Sequence, residues 1–127
     1  MIEFVSVSQY EIKPDDILIL AEVTYDENIL GSTMPWRVLP CLAKPYESVS
    51  DWNISSNKSV AEYENAITDS EAAMVFMESM VTISNKNKHI VIGCYDFNVT
   101  KSHLSVLLDI MEDLFAEQAP ELCMIGG

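Results

Sequence analysis

The chain has 127 residues, 49% apolar and 21% charged, enough to close one core and too apolar for a disordered tail. Seven Lys and Arg stand against 20 Asp and Glu, a formal net charge of −13, and Arg37 is the only arginine. That balance excludes a protein that grips nucleic-acid phosphates, and it weighs against an anionic membrane surface.

Glu3 to Tyr10 is rich in Val, Phe and Tyr with partial alternation, which predicts a strand. Lys13-Pro14-Asp15-Asp16 predicts a turn, with Pro14 pre-set for its second position. From Ile17 to Tyr25, Ile17, Ile19, Ala21, Val23 and Tyr25 share one face, and Leu18, Leu20, Glu22 and Thr24 the other. These two segments read as an antiparallel hairpin. Residues 26 to 57 are punctuated by Gly31, Pro35, Pro40 and Pro45. Trp36 to Leu39 suits a short edge strand, where flanking prolines are tolerated. Trp36, Tyr46 and Trp52 lie in this stretch, either capping the core or forming an aromatic surface for a partner.

Ser59 to about Val81 carries a helical stripe of Val60, Tyr63, Ile67, Ser70, Met74, Met77 and Val81. Ser59-x-x-Glu62 and Thr68-x-x-Glu71 are both capping-box patterns, so a short helix followed by a longer one from about Asp69 is expected. Asn85-Lys86-Asn87-Lys88 predicts a turn. His89 to Phe97 is apolar on both faces and reads as a central strand. Thr100 to Gln118 sets Leu104, Leu107, Leu108, Met111, Leu114 and Phe115 against Asp109, Glu112, Asp113 and Glu117, a clear amphipathic helix that Pro120 stops. Leu122 to Ile125 suits a short final strand. The expected architecture is a single domain over 1–127 of the α+β class. It has a mostly antiparallel sheet, the N-terminal hairpin plus a central strand near 89–97, with two or three helices packed on one face.

Chemistry is sparse. Four glycines, two of them terminal, form no phosphate loop. Asp15-Asp16 and Asp26-Glu27 lack the register of a calcium loop. Cys41, Cys94 and Cys123 show no CxxC spacing, so reduced thiols are expected in place of disulfides or a zinc site. Cys94 and His103 are the one thiol and base that a strand end and the following helix start bring near each other, but no orienting Asn or Asp and no oxyanion segment accompany them. No catalytic residue, metal site or cofactor is therefore expected. The N-terminus has no signal-like segment, and no apolar run approaches the roughly 20 residues that span a bilayer, so a cytoplasmic, non-membrane protein is expected.

Charge is what remains. The first 30 residues carry seven acids against one Lys. Asp109, Glu112, Asp113 and Glu117 lie toward the C-terminal end of their helix, where the dipole disfavours negative charge by a few tenths of a kcal/mol each. Local stability does not ask for that placement, and a partner would. The expected function is a small, non-enzymatic acidic inhibitor, of the kind of an immunity protein, that covers a basic toxin, nuclease or other nucleic-acid-binding enzyme. Its expected contacts are Asp109, Glu112, Asp113 and Glu117 with Trp36 and Trp52, and no direct nucleic-acid contact. The alternatives are an anti-defence protein of the DNA-mimic type from a phage or plasmid, and an acidic dimeric secretion chaperone.

Overall fold

A computed structural model describes residues 1–32, 35–45 and 52–124. Tyr46 lies outside the described residues. The strands are β1 (Ile2–Ser6), β2 (Ile17–Leu20), β3 (Arg37–Val38), β4 (Ile90–Cys94) and β5 (Leu122–Met124). The helices are α1 (Glu27–Leu30), α2 (Asn57–Thr68), α3 (Glu71–Ser84) and α4 (His103–Leu114). The sheet order is β3-β2-β4-β1-β5, and every pairing is parallel.

This overturns the antiparallel expectation. Ile2 and Ile17 both pair with Ile90, from opposite sides, so β4 lies between β1 and β2 and they form no hairpin. Residues 7–16 are a crossover that carries the chain back to the starting end of the sheet. The turn around Pro14 closes that crossover, with Asp15 at φ 71° and the Asp16 amide donating to the Lys13 carbonyl. The physical reason is burial. β1 and β4 are buried at all five positions, and β2 carries Leu18 and Leu20 on one face and Ile17 and Ile19 on the other. Strands apolar on both faces need cover on both, which parallel crossovers supply.

The two faces are covered differently. On one, Ile2, Phe4, Ile19, Ile90 and Ile92 meet Tyr63, Ile67, Met77, Leu104, Leu107 and Met111 of the helices. On the other, Val5, Leu18, Leu20 and Val91 are covered by Trp36, with Val7 and Tyr10 of the crossover packed alongside. Trp36 reaches β4 because position 93 is glycine. A Cβ there would stand 2.6 Å from Val7 Cγ1 and 2.8 Å from the Trp36 ring, closer than packed atoms come. Trp36 is 4% exposed, so the expectation that it forms an exposed partner surface is corrected.

The helix break falls at Asp69-Ser70, with caps that differ from the predicted ones. Ser56 accepts from the Ser59 amide, and Ser70 from the Ala73 amide. Ser59 is instead a buried acceptor for the Asn53 amide, and the Thr68 hydroxyl donates back to the Glu64 carbonyl within α2. The last helical region is three pieces: a 3-10 turn at Val99–Lys101, α4 capped by Ser102, and a 3-10 turn at Ala116–Gln118. Among the described residues, no helix is long and apolar enough to cross a membrane.

Candidate functional site

In an all-parallel sheet the carboxyl ends of the strands lie along one rim, where open α/β folds place their ligands. Neighbouring β2 and β4 run out there into Ala21-Glu22 and Tyr95-Asp96, and α4 begins beside them at His103. Glu22 Oε2 accepts from the Tyr95 amide at 2.9 Å, which ties the two strand ends together. His103 Nε2 lies 2.8 Å from the Ala21 carbonyl oxygen. A carbonyl only accepts, so Nε2 carries a hydrogen and Nδ1 is the variable atom of the ring.

That atom is the unusual feature. His103 is fully buried and its Nδ1 has no hydrogen-bond partner. Nδ1 faces Asp96 Oδ2 at 3.8 Å, too long for a hydrogen bond. One ligand atom from each of Glu22, Asp96 and His103 lies within 4.8 Å of the others. Trp52 and Tyr63 stand edge-on to the imidazole, with centroids 6.3 and 5.4 Å away. Both are anchored, Tyr63 by donating to the Leu42 carbonyl and Trp52 Nε1 by donating to the Ser59 carbonyl. The ring therefore has little room to turn away from Asp96.

Lys44 Nζ lies 3.6 Å from the same Asp96 Oδ2. The neighbouring His103, and then Lys44, hold the Asp96 carboxyl below its ordinary value against the opposing effect of burial. Cys94 behaves in the opposite way. Burial pushes its thiol up to about 12, and Sγ points to the Asp96 carbonyl oxygen at 3.8 Å. A thiol so raised is not the thiolate that nucleophilic chemistry needs near neutral pH.

One imidazole nitrogen and two carboxylates suit a borderline or hard divalent ion. Bonds of roughly 2.0–2.2 Å allow two ligand atoms on one ion to stand up to about 4.4 Å apart. The 3.8 Å between His103 Nδ1 and Asp96 Oδ2 falls within that limit. The Glu22 ligand atom lies within 4.8 Å of both, and three protein ligands leave coordination positions open.

The residues singled out from the sequence fall in several places. Asp109, Glu112, Asp113 and Glu117 are exposed, on α4 and the 3-10 turn that follows it, toward the end remote from His103. Trp52 is half-buried against His103. Trp36 belongs to the cluster on the other face of the sheet and joins none of them. Glu22 and Asp96 were not expected to matter, and neither was His103 as a ligand. The available signal was a lone carboxylate just after each of two apolar strands, and it points to one rim only if those strands run parallel.

No family model matches the chain, and neither a curated protein nor a solved structure matches it.

Proposed function

We propose that this chain binds a divalent transition-metal ion through Glu22, Asp96 and His103, and offers the open positions of that ion to a small polar ligand at the carboxyl rim of the sheet. The observation that carries this reading is the buried Nδ1 of His103, which has no hydrogen bond and faces a carboxylate oxygen at 3.8 Å. Leaving such an atom unsatisfied costs about 1–3 kcal/mol, and an ion between it and Asp96 removes the cost. The Lys44 contact to Asp96 at 3.6 Å is longer than a strong charge-assisted bond of about 2.7–2.9 Å.

The test is calorimetric titration of chelator-treated protein with Mn²⁺ and Zn²⁺, with Mn²⁺ binding also followed by paramagnetic resonance. One equivalent should bind, and His103→Gln or Asp96→Asn should weaken binding at least tenfold. Absence of saturable binding, or binding unchanged in both variants, refutes the reading. A Cys41→Ser/Cys123→Ser background removes thiolate binding of zinc as a confounder.

A second reading rests on a separate observation. Asp109, Glu112, Asp113 and Glu117 are exposed, and among the described residues none of them is in an ion pair. Such a face supports a non-catalytic inhibitor that covers a basic toxin or nuclease in the cytoplasm, and three unpaired cysteines are in keeping with that reducing compartment. Affinity capture from the source cell at low and moderate salt should then yield one basic protein that is lost as salt rises. Asp109→Asn/Glu112→Gln/Asp113→Asn should slow its association, and unchanged affinity sinks this reading. His103→Gln separates the two readings, because it spares a contact made by the α4 face.

A further inference from the structure

β3 is two residues long and pairs only with Ile19 and Leu20, through Arg37 and Val38. Among the described residues, no strand flanks Ile17 and Leu18 on that edge of β2. α3 overhangs the gap. Phe76, Met80 and Ile83 recur there at helical spacing, with Val75 beside them. Val75 is 56% exposed and Ile83 38%, an unusual pair of open apolar positions on one helix. Between α3 and the strand edge lies a cleft of about 320 Å³, apolar except for Arg37 and Ser79.

Arg37 is the telling residue. It is the only arginine in a chain with 20 carboxylates, yet among the described residues no carboxylate pairs with it. A guanidinium is a planar fork that matches a carboxylate with two parallel hydrogen bonds. The net charge of −13 opposes self-association through this face and docking on an anionic membrane. Among the described residues that line the cleft, Arg37 is the charged one, so it is the charge that a bound ligand meets. The cleft volume sits at the lower end of ligand sites, roughly 300–1,000 Å³. Val75 to Ile83 spans about 12 Å of helix, the reach of one unbranched medium-length tail.

We infer that this cleft binds a free medium-chain aliphatic carboxylate, its tail against Val75, Phe76, Met80 and Ile83 and its carboxylate on Arg37. The site is independent of the metal reading, because it lies on the outer edge of the sheet, beside the starting half of β2 and away from the carboxyl rim. It asks for no bond to be made or broken.

Decanoate is the probe, titrated into the full chain by calorimetry below its micellar range, with decyltrimethylammonium as the cationic counterpart. Decanoate should bind at one site per chain and the cationic amphiphile should not. Arg37→Gln should weaken decanoate about tenfold, and Val75→Glu, at an exposed position that leaves the core intact, should abolish binding. His103→Gln should change nothing. Three results would overturn the inference: no saturable decanoate binding, affinity unchanged by Arg37→Gln, or equal binding of the cationic amphiphile. Sedimentation provides a fourth: a dimer of the unliganded chain that Val75→Glu dissociates would mean that a second copy fills the cleft.

Discussion

Replacing His89 with alanine should destabilise this protein more than a half-exposed histidine ordinarily would. His89 comes just before β4, between two buried carboxylates, Glu3 of β1 and Asp16 at the end of the crossover. Its Nδ1 is hydrogen-bonded to Asp16 Oδ1 at 2.7 Å, and its Nε2 stands 2.9 Å from Glu3 Oε1 without the alignment of a hydrogen bond. The Asp16 side chain is 2% exposed and that of Glu3 9%, while the imidazole itself is 28% exposed. Asp16 keeps other donors when the ring is removed, the Tyr10 hydroxyl at 2.6 Å and the Lys13 amide at 2.8 Å. Glu3 is worse placed, since its Oε2 has no hydrogen-bond partner even with His89 present. Removing the imidazole takes a hydrogen-bond partner from the buried Asp16 carboxylate and leaves Glu3 facing a void, which costs about 3 kcal/mol, the upper end for a hydrogen bond to a charged group. At roughly 2.1 cal/mol/K per residue, a chain of this length loses about 3.7 °C of melting temperature per kcal/mol, so the melt should fall by about 11 °C. Thermal unfolding at pH 7 measures this directly. Adding Glu3→Gln to His89→Ala should recover part of the loss, because the orphaned charge is then gone. A shift under about 3 °C, or no recovery in the double variant, would refute the argument that the bridge holds β1, β4 and the crossover together. The acid side offers a further check. Burial raises the Asp16 carboxyl, but the hydrogen bonds from Tyr10, Lys13 and His89 outweigh it, so folded Asp16 titrates below the ordinary value of about 3.9. The unfolded chain therefore binds the proton first. The Asp16 contribution is complete above about pH 5 and drains away as pH falls through the folded value, and Asp16→Asn should flatten that part of the slope.

Two other predictions concern the packing. Gly93→Ala should cost about 3 kcal/mol, the upper part of the overpacking range, because the new methyl meets Val7 and the buried Trp36 ring together. Urea midpoints would measure it, and a loss within about 0.5 kcal/mol would mean that Trp36 moves aside easily. Thiol labelling at pH 7.5 should run in the order Cys123, then Cys41, with Cys94 silent until the protein unfolds. Burial raises the Cys41 thiol and pushes that of Cys94 up to about 12. Native-state labelling of Cys94 as fast as that of Cys123 would contradict its placement.

The sequence by itself determined the main strands and helices, though not α1, nor that β1 stops at Ser6 and β2 at Leu20. Those choices are local, written in side-chain alternation and in the 3.6-residue stripe. The stripe through Leu104, Leu107 and Met111 marked α4 and its buried face, and the two-sided apolar run from Ile90 to Cys94 marked β4 as central. The break between α2 and α3 was also visible, although its caps lay two or three residues away, because Ser59 and Thr68 found other partners. What the tertiary structure alone decided was which strands are neighbours and in which direction they run. A strand apolar on both faces says that it is covered and says nothing about its partner, so β1 and β2 passed for a hairpin until β4 came between them. The fate of Trp36 depended likewise on a glycine in a distant strand. The candidate site followed from the same decision. Glu22 is far in the chain from Asp96 and His103, and it meets them because parallel strands deliver their carboxyl ends to one rim, where α4 begins.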